Sequence, residues 1–275
     1  MEPNQVLEGD CLELLKTLPD SSVGMFLCDL PYGCTACHWD KRIDIDALWG
    51  QVKRLLQPKR AAVFTATQPF TTDLICSNRD WFKYCWVWDK VNRFSGHLNA
   101  KREPLRVYED ILIFGEKRPD FYPQYRQGKG YNVKTCSFSK AYGSQRSVTY
   151  RSDGSQYSPI NLLRIPGDTK AEGQINSTQK PVALFEYLIR TYTNPGDIVV
   201  DPTAGSMTTA IAAINTGRGY ICMEKDPEEY RKGLQRVEEH LTAPRQISLL
   251  EPTPEPQAAP TPAKQQLSIF DLVAS

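Results

Sequence analysis

No stretch of the 275-residue chain approaches the roughly 20 consecutive apolar residues of a membrane-spanning helix, so a helical membrane protein is excluded. The opening Met1-Glu2-Pro3-Asn4-Gln5 lacks the basic and apolar character of a secretory signal, so a cytoplasmic chain with reduced cysteines is expected. Histidine is scarce, at 3 residues. Cys34 and Cys37 have no second pair: Cys11, Cys28, Cys76, Cys85, Cys136 and Cys222 are scattered, so a four-ligand zinc site is not expected and no metal is assigned. Cys34-Thr35-Ala36-Cys37-His38 has the spacing of a haem attachment sequence, but without an export signal that reading is rejected. Also missing are Gly-x-Gly-x-x-Gly and Gly-Lys-Ser/Thr, which disfavours a dinucleotide or ATP.

What is present is an ordinary globular composition, 40% apolar and 24% charged, with a concealed asymmetry. Residues 81–170 carry 16 Lys+Arg against 8 Asp+Glu, a net of +8; the rest carries 17 against 24, a net of −7. A basic middle in an acidic scaffold suits a polyanionic partner held against one region.

The pattern alternates along residues 1–242. Strands are expected at Asn4–Asp10, Val23–Asp29, Arg60–Thr67, Tyr84–Asp89, Asp110–Glu116, Asp197–Asp201 and Arg218–Glu224. Helices are expected at Cys11–Leu18, Asp46–Gln57, Gln68–Asn78, Pro181–Thr193 and Thr208–Thr216, with Gly217 as the last one's cap. Such alternation predicts an α/β fold, a mostly parallel open sheet with helices on both faces. Trp81, Trp86 and Trp88 read as core, and His97 and His240 as surface or packing residues.

Residues 117–175 break the alternation. They are rich in Tyr, Ser, Gln and Gly, and Lys117–Lys170 holds ten basic and three acidic residues. A loop-rich basic insertion of this length suggests phosphate contact and base stacking. Residues 243–264 contain six prolines and read as an extended linker, and an apolar peptide follows at 265–275.

Two constellations carry chemistry. Asp29-Leu30-Pro31-Tyr32-Gly33 ends an apolar strand, where α/β folds place their ligand crevice. A carboxylate, a carbonyl and a flat ring in one rigid turn suit a planar ring that bears an amino group. Asp201-Pro202-Thr203-Ala204-Gly205-Ser206-Met207-Thr208-Thr209 joins a strand to a helix. Its small residues allow close backbone approach to a ligand, and the helix N-terminus offers N–H groups. Glu224 follows Asp201 by 23 positions, near the offset at which nucleotide-binding α/β folds place a ribose-binding acid.

In this order, with a basic segment between them, the motifs resemble the β-group of S-adenosylmethionine-dependent DNA amino-methyltransferases, above all the short phage and prophage enzymes. In that group a catalytic Asp/Ser-Pro-Pro-Tyr turn comes first, a target-recognition region second and the cofactor loop last. Gly9-Asp10-Cys11-Leu12 and Ser177-Thr178-Gln179-Lys180-Pro181 extend the likeness, which covers about residues 4–240.

The resemblance implies a Rossmann-like methyltransferase fold, S-adenosylmethionine as cofactor and double-stranded DNA as partner. It implies catalytic roles for Asp29, Pro31 and Tyr32, with the target base flipped from the duplex. It places Asp10, Cys11, Asp29, Lys180, Asp201, Pro202, Thr203, Ala204, Gly205, Ser206, Thr208, Thr209 and Glu224 around the cofactor. Asp at the first catalytic position implies the N6 of adenine; N4-cytosine methylation and a catalytically silent DNA-binding protein are the alternatives. An RNA or protein methyltransferase fits the motif order less well, and a C5-cytosine mechanism would need a thiolate nucleophile.

Leu30 replaces the first Pro of the catalytic motif, and Met207 stands where such loops commonly carry Gly. Met207 either narrows the pocket or begins the helix. The expected division is a catalytic half (1–116), a target-recognition insertion (117–175), a cofactor half (176–242), a linker (243–264) and a docking peptide (265–275). In that peptide Gln266, Leu267 and Phe270 resemble the motif by which bacterial replication proteins bind the sliding clamp. A homodimer and a restriction-modification setting also accord with the family.

Overall fold

A computed structural model describes residues 2–33, 42–91, 93–134, 138–139, 143–144, 149–152, 154, 157–169, 174–176 and 178–243. The Cys34–His38 motif, Ser177, parts of the basic insertion, and the linker and docking peptide beyond residue 243 lie outside the described residues.

The strands are β1 (Gln5–Glu8), β2 (Val23–Cys28), β3 (Leu56–Ala66), β4 (Phe82–Asp89), β5 (Tyr108–Phe114), β6 (Tyr131–Lys134), β7 (Phe138–Ser139), β8 (Gly143–Ser144), β9 (Thr149–Ser152), β10 (Leu162–Arg164), β11 (Ile198–Asp201) and β12 (Gly219–Glu224). The helices are α1 (Cys11–Lys16), α2 (Ile45–Leu55), α3 (Phe70–Ser77), α4 (Val182–Tyr192), α5 (Thr208–Thr216) and α6 (Pro227–Thr242). Eight strands form the main sheet in the order β1-β12-β11-β2-β3-β5-β4-β10. Every pairing in it is parallel except those of β5, which runs antiparallel to both β3 and β4. The expected mostly parallel α/β sheet is therefore the observed one.

Period-two alternation in β2 explains the two layers. Met25 and Leu27 point into one apolar cluster with Leu184, Leu188, Ala210, Ala213 and Val237, from α4, α5 and α6. Phe26 and Cys28 point into the other with Leu15, Leu48, Val52 and Leu74, from α1, α2 and α3. A strand covered on both faces must be apolar throughout, as the fully buried Val23–Cys28 run is. Trp86 and Trp88 lie in the first cluster, and Trp81 packs against the second.

Two local differences from the sequence expectation have simple causes. The expected helix to Gln57 stops at Leu55, and β3 begins at Leu56. Pro58 cannot continue a helix, and Lys59 adopts a positive φ of 59°. Pro181 is the N-cap of α4 rather than its first turn, with ψ at 136°. Asp168 accepts the Val182 N–H and supplies the missing cap. Gly217 does cap α5, in the left-handed conformation.

Not anticipated were α6, the short strand pairs β6–β9 and β7–β8 within the basic insertion, and β10, which extends the main sheet beside β4 from inside that insertion. The start of that insertion also packs on the sheet. Phe121 stacks on Trp86, and the Tyr122 N–H donates to the Thr191 carbonyl. No helix among the described residues is long and apolar enough to cross a membrane.

Candidate active site

Five chain segments meet at one edge of the sheet, because parallel strands share their carboxyl ends. Asp10 follows β1, Asp29 follows β2, Asp201 ends β11 and Glu224 ends β12. Antiparallel β5 contributes its beginning, so Glu109 arrives at the same edge.

The Asp29 carboxylate is densely contacted. Its Oδ1 accepts hydrogen bonds from the Tyr32 hydroxyl at 2.9 Å and the Thr65 hydroxyl at 2.5 Å. Its Oδ2 accepts from Lys180 Nζ at 2.6 Å. A carboxylate offers about four lone-pair sites. Three are engaged here, so Oδ2 keeps one acceptor site. Burial pushes the Tyr32 phenol well above its ordinary pKa, with the Asp29 charge adding to the effect, so the ring stays protonated and donates. Tyr32 stacks on Phe70 at 5.1 Å between centroids.

Lys180 is buried and touches two acids. Its Nζ lies 3.4 Å from Glu109 Oε2, and Lys90 binds the other oxygen of Glu109 at 2.6 Å. Burial works against the ammonium, but Asp29 and Glu109 outweigh it and raise its pKa above the ordinary lysine value. Burial likewise opposes the Glu109 carboxylate, yet Lys180 and Lys90 hold its pKa below the ordinary range. Both shifts favour the charged forms of Lys180 and Glu109.

The second loop is braced from below. Asp201 is buried, with Oδ1 accepting the Thr203 N–H at 3.1 Å and Oδ2 accepting the Thr209 hydroxyl. Burial pushes its carboxyl up to about 7, with the neighbouring carboxylates Asp29 and Glu224 adding to the rise. Pro202, Ala204, Ser206, Thr208 and Thr209 are also buried, whereas Thr203, Gly205 and Glu224 keep exposed surface. Glu224 Oε2 accepts the Gly205 N–H at 2.9 Å and Oε1 the Asp226 N–H at 2.8 Å, which leaves acceptor capacity on both oxygens. Asp10 caps α1 through the Leu12 N–H and pairs with Lys225 at 2.8 Å, and that lysine lowers its pKa. Burial pushes the Cys11 thiol up to about 11, so it is no thiolate.

Met207 begins the helix. It takes a left-handed conformation at the start of α5, and its side chain is fully buried. There it meets Gly233 of α6, where any Cβ would lie 2.5 Å from Met207 Cγ and 2.8 Å from the Gly205 carbonyl oxygen. Glycine at 233 lets α6 approach the loop. From the same helix Arg236 donates to the Ser206 carbonyl at 2.6 Å.

The two loops touch directly: the Thr203 hydroxyl donates to the Asp29 carbonyl at 3.1 Å. Lys180 joins them as well, because its backbone carbonyl accepts the Thr208 hydroxyl at 3.3 Å. Sequence reasoning missed Thr65, Lys90, Glu109 and Arg236. For Glu109 a signal existed, an acid pair opening an apolar strand; for the others none was local.

A family model described as DNA methylase matches residues 25–235. The DNA adenine methyltransferase YhdJ of Escherichia coli strain K12 is 30% identical over 86% of this chain and 83% of its own. The type II methyltransferase M.HinfI of Haemophilus influenzae is 26% identical over 94% of this chain and 74% of its own. Two solved structures share the fold. The M1.HpyAVI–SAM complex has a TM-score of 0.58 at 21% identity, covering 85% of this chain and 98% of that one. The cytosine-N4-specific PvuII DNA methyltransferase has a TM-score of 0.60 at 19% identity, covering 90% and 89%. With the family model spanning both loops and the sheet between them, the chain belongs to the DNA methylase family of N6 and N4 amino-methyltransferases.

Proposed function

We propose that this chain methylates the exocyclic N6 of adenine in double-stranded DNA, with S-adenosylmethionine as methyl donor. The observation that carries the reading is the Thr203–Asp29 hydrogen bond, which places the small-residue loop against the carboxylate turn. A donor held on one loop and an amino group held on the other would then meet without movement of either loop's backbone.

The residues fit the cofactor. A Cβ at Gly205 would meet no atom within 4 Å, so the loop borders open space, and Glu224 retains acceptor sites suited to ribose hydroxyls. Asp10, Thr203, Gly205 and Glu224 would hold it directly; Cys11, Asp201, Pro202, Ala204, Ser206, Thr208 and Thr209 would shape the loop from behind. The bound cofactor supplies a methyl group on a positively charged sulfur.

The protein's task is to place and activate the amino nitrogen. The free acceptor site on Asp29 Oδ2 and the Pro31 carbonyl would take the two amino hydrogens, and Tyr32 would stack on the base. Hydrogen bonds that draw the amino lone pair out of the ring make it a better nucleophile. Transfer would form the new C–N bond at the expense of the methyl–sulfur bond, whose electron pair would stay with sulfur. The surplus amino proton passes to Asp29 and from there to water.

Adenine is favoured over cytosine by Asp at position 29 and by the adenine-specific name of YhdJ. The test is transfer of labelled methyl groups to unmethylated bacterial DNA, followed by digestion to nucleosides. Label in N6-methyladenine is expected. Label in N4-methylcytosine would overturn the base assignment, and no label on any DNA would overturn the reading.

Two partner assignments accompany this one. The basic stretch 117–175 is assigned to the DNA target, and Gln266, Leu267 and Phe270 to a sliding clamp reached through the proline-rich 243–264 tether. Deleting residues 265–275 should abolish clamp pull-down and leave methylation of free DNA unchanged; retained pull-down would refute the second assignment.

A further inference from the structure

Lys180 occupies the ground that an incoming amino group would need. Its ammonium donates to Asp29 Oδ2, the oxygen with the one remaining acceptor site. An ammonium beside that oxygen weakens it as an acceptor and repels the positive charge that develops on the amino nitrogen during transfer. Yet the ammonium has a second place to go. Glu109 Oε2 lies 3.4 Å away, buried, and makes no hydrogen bond. Lys90 fixes the other Glu109 oxygen at 2.6 Å, so the carboxylate cannot turn away. A buried carboxylate oxygen without a hydrogen bond is uncommon and calls for a reason.

We propose that Glu109 is a positioning residue: its Oε2, already within ion-pair distance of Lys180 but without a hydrogen bond, takes over the ammonium when the target base enters, and so frees Asp29 Oδ2 for the amino group. The inference rests on the amino-methylation reading above. In the absence of a base the ammonium shields Asp29; with a base it leans onto Glu109 and stays paired. Among the described residues, the titratable groups that act on this cluster come from several elements. Asp29, Cys28 and Tyr32 face it from β2 and its turn, Glu109 from β5, Lys90 from the end of β4 and Asp201 from β11. Burial keeps the Cys28 thiol and the Tyr32 phenol neutral.

The test uses the full-length protein with unmethylated DNA and S-adenosylmethionine. In Glu109→Gln the ammonium has no second carboxylate and remains on Asp29. At neutral pH kcat should fall at least about tenfold, with KM for the cofactor unchanged. The lysine, with one acid partner fewer, would then lose its proton more readily, so the activity of Glu109→Gln should climb from about pH 7 to about pH 10. Wild type should show no such climb. The double variant Glu109→Gln/Lys180→Met removes the ammonium as well and should be several-fold more active than Glu109→Gln at neutral pH, without the climb.

A Glu109→Gln enzyme with wild-type kcat and pH profile would overturn the proposal. So would a loss of kcat that neither high pH nor Lys180→Met relieves, since that marks a structural role alone; cofactor binding and thermal melting report whether the variant folds. A wild-type enzyme that methylates no DNA would instead overturn the parent reading and this one with it.

Discussion

At the scale of single residues, the carboxylates at the sheet edge have opposite environments. Asp29 is surrounded by donors and a cation, whereas Asp201 is deeply buried, with two neutral donors and carboxylates as neighbours. Asp29→Ala should lower methyl transfer by about 10²–10⁴, the range typical of a lost proton-accepting group, and leave cofactor affinity within a few-fold of wild type; kinetics alongside calorimetric titration would show both. For Asp201 the consequence is pH-dependent stability. Its carboxyl titrates at about 7 in the fold against an ordinary 3.8, so between those values the folded state binds the extra proton. Stability from this group is therefore present at low pH and declines as pH rises through the window. Asp201→Asn imitates the protonated form, and it should melt closer to wild type at pH 5 and above it at pH 8. Equal pH profiles for the two proteins would contradict the assignment. Asp29 was legible from sequence because its neighbours Pro31 and Tyr32 are local. Thr65 and Lys180, which also hold it, stand 36 and 151 positions away, and only the strand order brings them there.

At the scale of elements, α6 decides how firmly the cofactor loop is held. Gly233 permits the contact and Arg236 fastens it, donating to the Ser206 carbonyl and the Thr208 hydroxyl. Arg236→Met keeps the apolar stem but leaves a buried carbonyl without its donor, at a cost of about 1–3 kcal/mol. Cofactor affinity should fall while the base-side turn remains intact, measurable as a raised Kd for S-adenosylmethionine and a lowered melting temperature. An unchanged Kd would show that the loop is held without Arg236. The parallel strands and their helices were legible because burial on both faces writes continuous apolar runs, as in Val23–Cys28. The direction of β5 was not, since a strand carries the same pattern either way up; its reversal is what delivers Glu109 to the site. Strand β10 has only three residues, too few to show a period against its loop-like neighbours.

At the scale of the whole chain, a net charge of +1 conceals a basic middle, and the structure gives that middle a location. Residues 81–170 include the β4–β5 connection, which leaves the sheet edge beside Glu109 and carries exposed Lys101 and Arg102. An acidic remainder keeps polyanions from binding elsewhere, so attraction is concentrated near the site. Each phosphate neutralised releases counterions, and DNA affinity should therefore fall steeply with salt while cofactor affinity should barely move. Lys101→Ala and Arg102→Ala should each weaken DNA binding on every sequence and reduce the slope of log Kd against log salt by about 1. The measurement is DNA affinity at several salt concentrations from about 50 to about 200 mM for wild type and both variants. Parallel slopes in all three would mean that the duplex does not reach the β4–β5 connection, and would confine the phosphate contacts to the basic insertion that follows it.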